Sequence, residues 1–355
     1  MVQGSGTFVG STTLVRSLRK LGVTVDVTTP GFRFPVYTVQ RLLFNQSLRF
    51  RPRDVYDVTV GLDMDGYTLA GVRPGIYVAS IKGVIADEMR FEVGVTKATM
   101  RLQAACEKLN VRRADCVITT SQYAAARIQE LYGVSQVPRI VPEAIELAAW
   151  EKLFRLNPAQ ADRNRFVVLS VCRFYPRKRL DVLLGAAQLL RSRIPELEVS
   201  IVGGGPEARR LKDVCRNKGL RGVVTWRENI PQSELAREYN RCDVFCLPSV
   251  QEGFGIVYLE AMASGKAIVA VRAGATPEVV KHGLLAEPDD EEALAEAIER
   301  LYREPALRET LGAEGRQFVK QFDAPVVASL FLREIESLAR SRSDAHTAEP
   351  ESHGV

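Results

Sequence analysis

The stretch Ser249-Val250-Gln251-Glu252-Gly253-Phe254-Gly255-Ile256-Val257-Tyr258-Leu259-Glu260-Ala261-Met262 sets two carboxylates seven residues apart. Gly253 and Gly255 suit a tight turn and a close approach of backbone to a ligand. A helix starting near Gly255 presents unpaired N–H groups and the positive end of its dipole, a ready place for an anion. Glu252 then stands at the mouth of that place, and Glu260 lies about 7.5 Å further along at ~1.5 Å rise per residue. One acid reaches a ligand near the anion and the other a different part of it. Hexose, diphosphate and ribose, joined in that order, have this layout. The competing reading is a glycine turn before an amphipathic helix with two solvated glutamates, and short spacings alone do not exclude it. The flanks favour the site. Phe245-Cys246-Leu247-Pro248-Ser249 reads as a buried strand ending in a turn, and Ala267-Ile268-Val269-Ala270-Val271 as the next strand. Both acids therefore fall at a strand's carboxyl end, where open α/β sheets bind ligands.

A second constellation is Arg173-Phe174-Tyr175-Pro176-Arg177-Lys178, just after the apolar run 165–171. Two cations five apart on a turn can converge on one diphosphate, Arg as a planar fork and Lys as a point charge. They would stabilise charge building on a departing phosphate. A solvated basic turn, with Arg177 and Arg179 adjacent, is the plainer alternative. Gly203-Gly204-Gly205 forms a turn between strand and helix, a weak signal by itself. Gly4-Ser5-Gly6-Thr7-Phe8-Val9-Gly10, with Asp26 further on, invites comparison with a dinucleotide fingerprint, but its strand is missing and its glycine spacing differs.

With these residues in place, the chain resembles the retaining glycosyltransferases of family 4, which have the GT-B fold. The resemblance runs from about Gly4 to Phe322 and is most specific from Glu252 to Glu260. It implies an α/β protein of two Rossmann-like, doubly wound parallel-sheet domains facing a cleft, with a C-terminal helix crossing back to the first domain. The implied activity is transfer of a hexose from a nucleoside-diphosphate sugar to an acceptor hydroxyl, with an α-linkage formed. It implies front-face substitution in which the leaving phosphate takes the acceptor's proton, so no protein nucleophile is expected. By this resemblance Arg173 and Lys178 hold the diphosphate, Glu252 the sugar hydroxyls and Glu260 the ribose. Phe254, Gly255, Ile256 and Val257 line the helix start, and Gly204 lies beside the nucleotide. Backbone groups near Asn229 and Ile230 hold the base, and Gly6 belongs to an N-terminal glycine loop facing the diphosphate. Where the family often has a histidine against the donor sugar, this chain has Lys82, with Asp87 and Glu88 nearby to orient it or meet the acceptor. The run Glu252 to Val257 is similar to lipid-directed mannosyltransferases, which leans the donor to GDP-mannose over UDP-glucose. Other readings are a sugar-nucleotide-binding protein without turnover, a GT-B epimerase or phosphorylase, and a Rossmann dehydrogenase using Gly4 to Gly10.

Composition sets outer limits. The 355 residues suit two domains, and 46% hydrophobic content suffices for their cores. No run reaches the ~18 apolar residues needed to span a bilayer, and the first residues lack a signal peptide's apolar region. A cytoplasmic protein, peripheral on the inner membrane face, is expected. Six cysteines at 106, 116, 172, 215, 242 and 246 form no C-x-x-C pair and read as buried thiols. Asp63-Met64-Asp65 looks like a metal-binding D-x-D but follows a strand of the wrong domain; it is taken as loop or acceptor-side polarity, with no metal and no cofactor required. His282, His346 and His353 have no visible ligand partners. The partners expected are the nucleotide sugar and a saccharide or lipid acceptor, not nucleic acid.

Residues 1–150 hold 18 Lys+Arg against 13 Asp+Glu, which accounts for the whole net charge of +5. Arg33, Arg41, Arg49, Arg51 and Arg53 occur without an acid among them, interleaved with Tyr37, Leu42, Leu43, Phe44 and Leu48. This suits an anionic membrane surface; a packed amphipathic helix with solvated arginines is the alternative. Patterning places a helix over 11–22 and a strand over 23–27. Strands follow over 56–61, 75–80 and 116–121, with a helix over 94–113 and another reaching Tyr132. Residues 1–150 are expected as the acceptor domain, with 150–164 a polar connector and 151–323 the nucleotide-sugar domain. A helix over 324–340 and a disordered tail over 341–355 complete the expectation. Regular β/α alternation through the second half predicts a parallel sheet covered on both faces.

Overall fold

A computed structural model describes residues 6–50, 56–72, 75–159 and 164–347. The chain divides into two units: Leu14–Pro142 with Pro325–Val355, and Glu143–Ala324 with Met1–Thr13. The first division falls earlier than the expected position at residue 150.

In the first unit, short apolar runs alternate with helices, and such strands pair in parallel because each crossover carries the chain back to the same end. The elements are the end of α1 (Gly6–Lys20, whose residues up to Thr13 belong to the other unit), α2 (Tyr37–Ser47), β1 (Val58–Leu62), β2 (Ile76–Ile81), α3 (Ile85–Glu88), α4 (Gly94–Arg113), β3 (Cys116–Thr119), α5 (Gln122–Tyr132) and β4 (Arg139–Ile140). The sheet order is β1-β2-β3-β4, all parallel. Every residue of β2 and β3 is buried, as the unbroken apolar runs demand. Ser121 caps α5 by accepting the Ala124 N–H, and Gly133 ends it in the left-handed conformation.

Two expectations fail here. Residues 23–27 form no strand: a strand needs a neighbour, and the Val25 carbonyl instead accepts the Arg19 guanidinium. The supposed glycine loop is helical from Gly6 onward, because α1 starts there; Gly4 and Ser5 lie outside the described residues. At Gly10 a Cβ would come within 2.0 Å of Glu143 Oε2, so the small residue makes room for a carboxylate. The basic segment is divided between the interior and the surface. Arg41 turns inward, 11% exposed, to Asp65. Phe44 and Leu48 pack against Leu69, Ala70 and Tyr77. A buried guanidinium requires a partner, and Asp65 supplies it. Arg33 and Arg49 remain exposed, while Arg51 and Arg53 lie outside the described residues.

The second unit comprises α6 (Leu147–Leu156), β5 (Phe166–Val171), α7 (Leu180–Leu190), β6 (Leu197–Val202), α8 (Ala208–Asn217), β7 (Val224–Arg227), α9 (Gln232–Arg241), β8 (Val244–Leu247), α10 (Ile256–Ala263), β9 (Ala267–Val271), α11 (Thr276–Val279), β10 (Gly283–Ala286), α12 (Glu291–Arg303) and α13 (Pro305–Phe318). Its sheet runs β10-β9-β8-β5-β6-β7, parallel throughout. The chain winds from β5 to one edge, then returns beside β5 with β8 and winds to the other. The order therefore reverses between β5 and β8, the position at which such sheets open a crevice outside their carboxyl ends. The polar connector is in fact α6. Its Leu147, Trp150, Leu153 and Phe154 share a helical face on the core, and Trp150 meets Tyr239 edge-on at 5.8 Å. Residues 160–163 lie outside the described set.

The last helix, α14 (Ala324–Thr347), runs past the expected end at 340. Residues 326–347 contain neither Gly nor Pro, and Pro325 sits in the first turn, where it is tolerated. The expected tail is thus helical to Thr347; residues 348–355 lie outside the described set. Among the described residues, no helix is long and apolar enough to cross a membrane.

Candidate functional site

Three loops converge at the carboxyl ends of β5, β8 and β9. After β5, the Phe174 N–H donates to the Gly204 carbonyl at 3.0 Å, and residues 176–178 make one 3₁₀ turn that delivers Lys178 inward. The β8 loop is tied to it: the Val250 N–H donates to the Arg177 carbonyl at 2.9 Å and Ser249 Oγ to the same oxygen at 3.2 Å. After β9, Gly274 has φ +58, and a Cβ there would lie 2.8 Å from the Glu252 nitrogen. The Glu252 carbonyl accepts the Ala275 N–H at 3.0 Å. Glu252 is thereby held from both sides.

Lys178 Nζ donates to Glu252 Oε1, and both side chains are nearly buried. Among the described residues, this is the only side-chain hydrogen bond that either group makes, so a lysine with three donors and a carboxylate with two oxygens keep capacity for a ligand. The structure thus joins two residues that the sequence assigned to different parts of a ligand. Arg173 is exposed on the same loop and, among the described residues, forms no ion pair; its contact with Lys178 or Glu252 is not seen. Cys172, immediately before it, has its thiol pushed up to about 12 by burial and is not poised as a nucleophile.

Helix α10 begins at Ile256 with Gly255 as its N-cap at φ +93. A Cβ at Gly255 would fall 2.6 Å from the Tyr258 ring, so only glycine lets the chain enter the helix this closely. No side chain caps this end and no acid occupies its first turn, which leaves the positive end of the dipole uncompensated. Ile256 is half-buried there. Two neighbours face elsewhere. Phe254 is buried edge-on against Phe322 at 5.5 Å, and the Val257 side chain packs on the core. As side chains they seal the loop rather than line the helix start, because an apolar ring between glycines is stabilised by leaving water.

Glu260 is buried in α10, and Tyr239 OH donates to its Oε2 at 2.7 Å. Burial pushes this carboxyl up to about 7, against the lowering effect of the tyrosine. Tyr239 went unnoticed in the sequence, where nothing local in α9 marks it; the contact exists only because α9 and α10 pack together. The triple glycine is explained by backbone crowding. Gly203 has φ +135, and Cβ atoms at Gly203 and Gly205 would strike the Cys172 carbonyl at 1.9 Å and Phe174 N at 2.7 Å. Gly204 faces more open space. Asn229 is exposed with φ +53, a conformation asparagine tolerates, while Ile230 packs partly on the core.

Lys82 belongs to the first unit, just beyond β2. Its backbone N–H donates to Asp63 Oδ1 at 2.8 Å. Asp63 sits in the left-handed region at φ +52, and burial pushes its carboxyl up to about 6. Met64 is fully buried, and Asp65 is held by Arg41 and by Asn45 Nδ2 at 2.9 Å. The Asp63-Met64-Asp65 triplet is therefore an internal support of the strand ends. The Asp87 carboxylate accepts from Arg90, Arg127 and Tyr123. Among the described residues, no group of three or more His, Cys, Asp or Glu could hold a metal ion.

Two parallel-sheet α/β units, the second with its crevice between β5 and β8, define the GT-B fold class. Residues 155–318 match the family model described as glycosyl transferases group 1. Over this part, a little under half of the 355 residues, the chain is similar to the group 1 glycosyl transferases. The chain is 32% identical over 219 residues to the GDP-mannose-dependent alpha-(1-6)-phosphatidylinositol monomannoside mannosyltransferase of Mycolicibacterium smegmatis, covering 58% of this chain and 57% of that protein. It is 31% identical over 217 residues to the D-inositol 3-phosphate glycosyltransferase of Arthrobacter, covering 58% and 52%. Among solved structures, sucrose-phosphate synthase from Thermosynechococcus elongatus superposes with TM-score 0.73 at 26% identity, over 88% of this chain and 82% of that one. The chain thus spans little more than half the length of the curated relatives it matches.

Proposed function

We propose that this chain is a retaining hexosyltransferase. It moves mannose from GDP-mannose to a hydroxyl of an inositol-phosphate or lipid-linked acceptor at the inner membrane face, forming an α-linkage without a metal. The observation that carries the reading is the Lys178–Glu252 pair at the reversal between β5 and β8, beside the uncapped start of α10. The two charges neutralise each other in the fold, since an unpaired buried charge costs several kcal/mol. Donor binding puts sugar hydroxyls on Glu252 and the diphosphate on Lys178, Arg173 and the α10 N-terminus. Gly204 lies beside the nucleotide, the backbone around Asn229 and Ile230 meets the base, and Glu260 takes the ribose hydroxyls. The C1–O bond to the β-phosphate breaks as the acceptor oxygen bonds C1 on the same face. The acceptor proton passes to the leaving phosphate, whose growing charge Lys178 and Arg173 stabilise. The names of the curated relatives favour GDP-mannose and an inositol-bearing acceptor.

The test is thermal shift with GDP-mannose and UDP-glucose, then NMR of the product formed with a phosphatidylinositol mannoside. Stabilisation by GDP-mannose, an α-anomeric product, and turnover that survives chelation are expected. Donor binding with neither transfer nor slow donor hydrolysis would mark a sugar-nucleotide-binding protein instead. Activity lost on chelation and restored by Mg²⁺ would overturn metal independence.

A further inference from the structure

Helix α4 turns Gln103, Ala104, Cys106, Glu107, Asn110 and Val111 inward. Its outer side carries Val95, Ala98, Leu102, Ala105 and Leu109, spaced i, i+3, i+7, i+10 and i+14 on one face. Val95 is 80% exposed, Leu102 47% and Leu109 40%. At ~1.5 Å per residue the stripe is about 21 Å long. Lys97, Arg101, Lys108 and Arg112 run along one border at i, i+4, i+11 and i+15, and Arg113 closes the end. Among the described residues, no carboxylate pairs with any of these five; Arg112 donates to the Tyr132 carbonyl at 2.8 Å. The one acid of the helix, Glu107, faces the core and is bonded to Tyr132 and the Ile85 N–H.

Single exposed apolar residues are ordinary, but an aligned set bordered by charge of one sign marks an interaction surface. We propose that this face of α4 docks on an anionic lipid bilayer, with the apolar stripe in the headgroup boundary and the basic border on acidic headgroups. A second copy of the chain is disfavoured, because it would set five cations against five. One helix face also offers far less than the ~800 Å² per partner of a standard interface. The surface differs from the 33–53 segment, whose Arg41, Phe44 and Leu48 are spent inside the fold. Docking extends the lipid-acceptor reading, but it is measured without donor or acceptor, so the two fail separately.

The test is sedimentation of the whole chain with vesicles of phosphatidylcholine, with and without phosphatidylglycerol. Binding only to the anionic vesicles is expected, and its loss at ~1 M salt, where the Debye length falls to about 3 Å. Leu102→Gln with Leu109→Gln, and separately Arg101→Gln with Lys108→Gln, should each lower the partition coefficient about tenfold or more. Because Arg101, Leu102 and Leu109 are exposed and the half-buried Lys108 forms no ion pair among the described residues, Tm and the GDP-mannose thermal shift should stay unchanged. No association of the wild-type chain, or association that both variants retain, would overturn the proposal. So would a dimer in analytical ultracentrifugation that Leu102→Gln with Leu109→Gln dissolves while no vesicle is bound.

Discussion

The two sheets place buried ion pairs beyond their strand ends, and they use them differently. In the first unit the described strands stand in chain order, and Arg41 is tied into the fold at several points: it donates to both Asp65 oxygens and to Gln103, while Asp65 also accepts from Asn45. In the second unit the strand order reverses, and Lys178 and Glu252 make a single bond to each other. A pair bound into the fold at several points supports that fold, since a ligand would have to replace all of those bonds at once. A pair with capacity left over, at a place where the sheet opens, can exchange its bond for a ligand's.

The sharpest way to break this comparison is Glu252→Gln, which keeps shape and removes charge. kcat/KM for donor turnover should fall about 10²-fold or more, measured at a temperature where the variant is folded, because leaving Lys178 without its counter-charge also lowers Tm. Kinetics like the wild type would make this pair as structural as the other. Arg41→Ala should do the reverse and cost about 3 kcal/mol in urea unfolding, because Asp65 is left buried and unpaired, with the donor Kd unchanged. Stability within error of the wild type would return Arg41 to the solvated surface.

A smaller effect is pH-dependent. Asp63, raised from 3.8 to about 6, and Glu260, raised from 4.5 to about 7, both bind protons more tightly when folded. Their contribution to stability is complete below the unfolded values and is lost as pH rises through the folded ones. Unfolding free energy should therefore decline between about pH 4 and 7 from these groups. Asp63→Asn and Glu260→Gln should each flatten part of that decline, and an unchanged pH profile in both would refute the burial argument. The smallest effect belongs to Arg33→Gln with Arg49→Gln, outside α4: vesicle binding should not change. A loss as large as that from the α4 variants would restore the 33–53 segment as the membrane surface.

Much of the fold was legible because it rests on local pattern. The helix at 94–113 has the bounds its periodicity indicated, and the runs at 76–81 and 166–171 could hardly be anything but buried strands. The failures share a cause. Residues 23–27 have a strand's composition and no neighbour, and α6 was hidden by polar residues on the side away from Trp150. Phe254, placed among the donor-binding residues, has its side chain buried against Phe322, a contact that only the folded chain reveals.

The sequence by itself determined the α/β alternation, the glycine that opens α10 and the presence of Glu252, Lys178 and Glu260 at strand ends or just beyond, since periodicity and turn chemistry act over a few residues. Only the tertiary structure decided that β8 returns beside β5. That adjacency puts Lys178 on Glu252 across 74 residues of chain and leaves their bond open to exchange. It also decided that Tyr239 meets Glu260 and that Arg41 goes inward while the face of α4 stays out. Which polar groups meet depends on which elements become neighbours, and burial then forces each charge to find a partner wherever the fold has brought one.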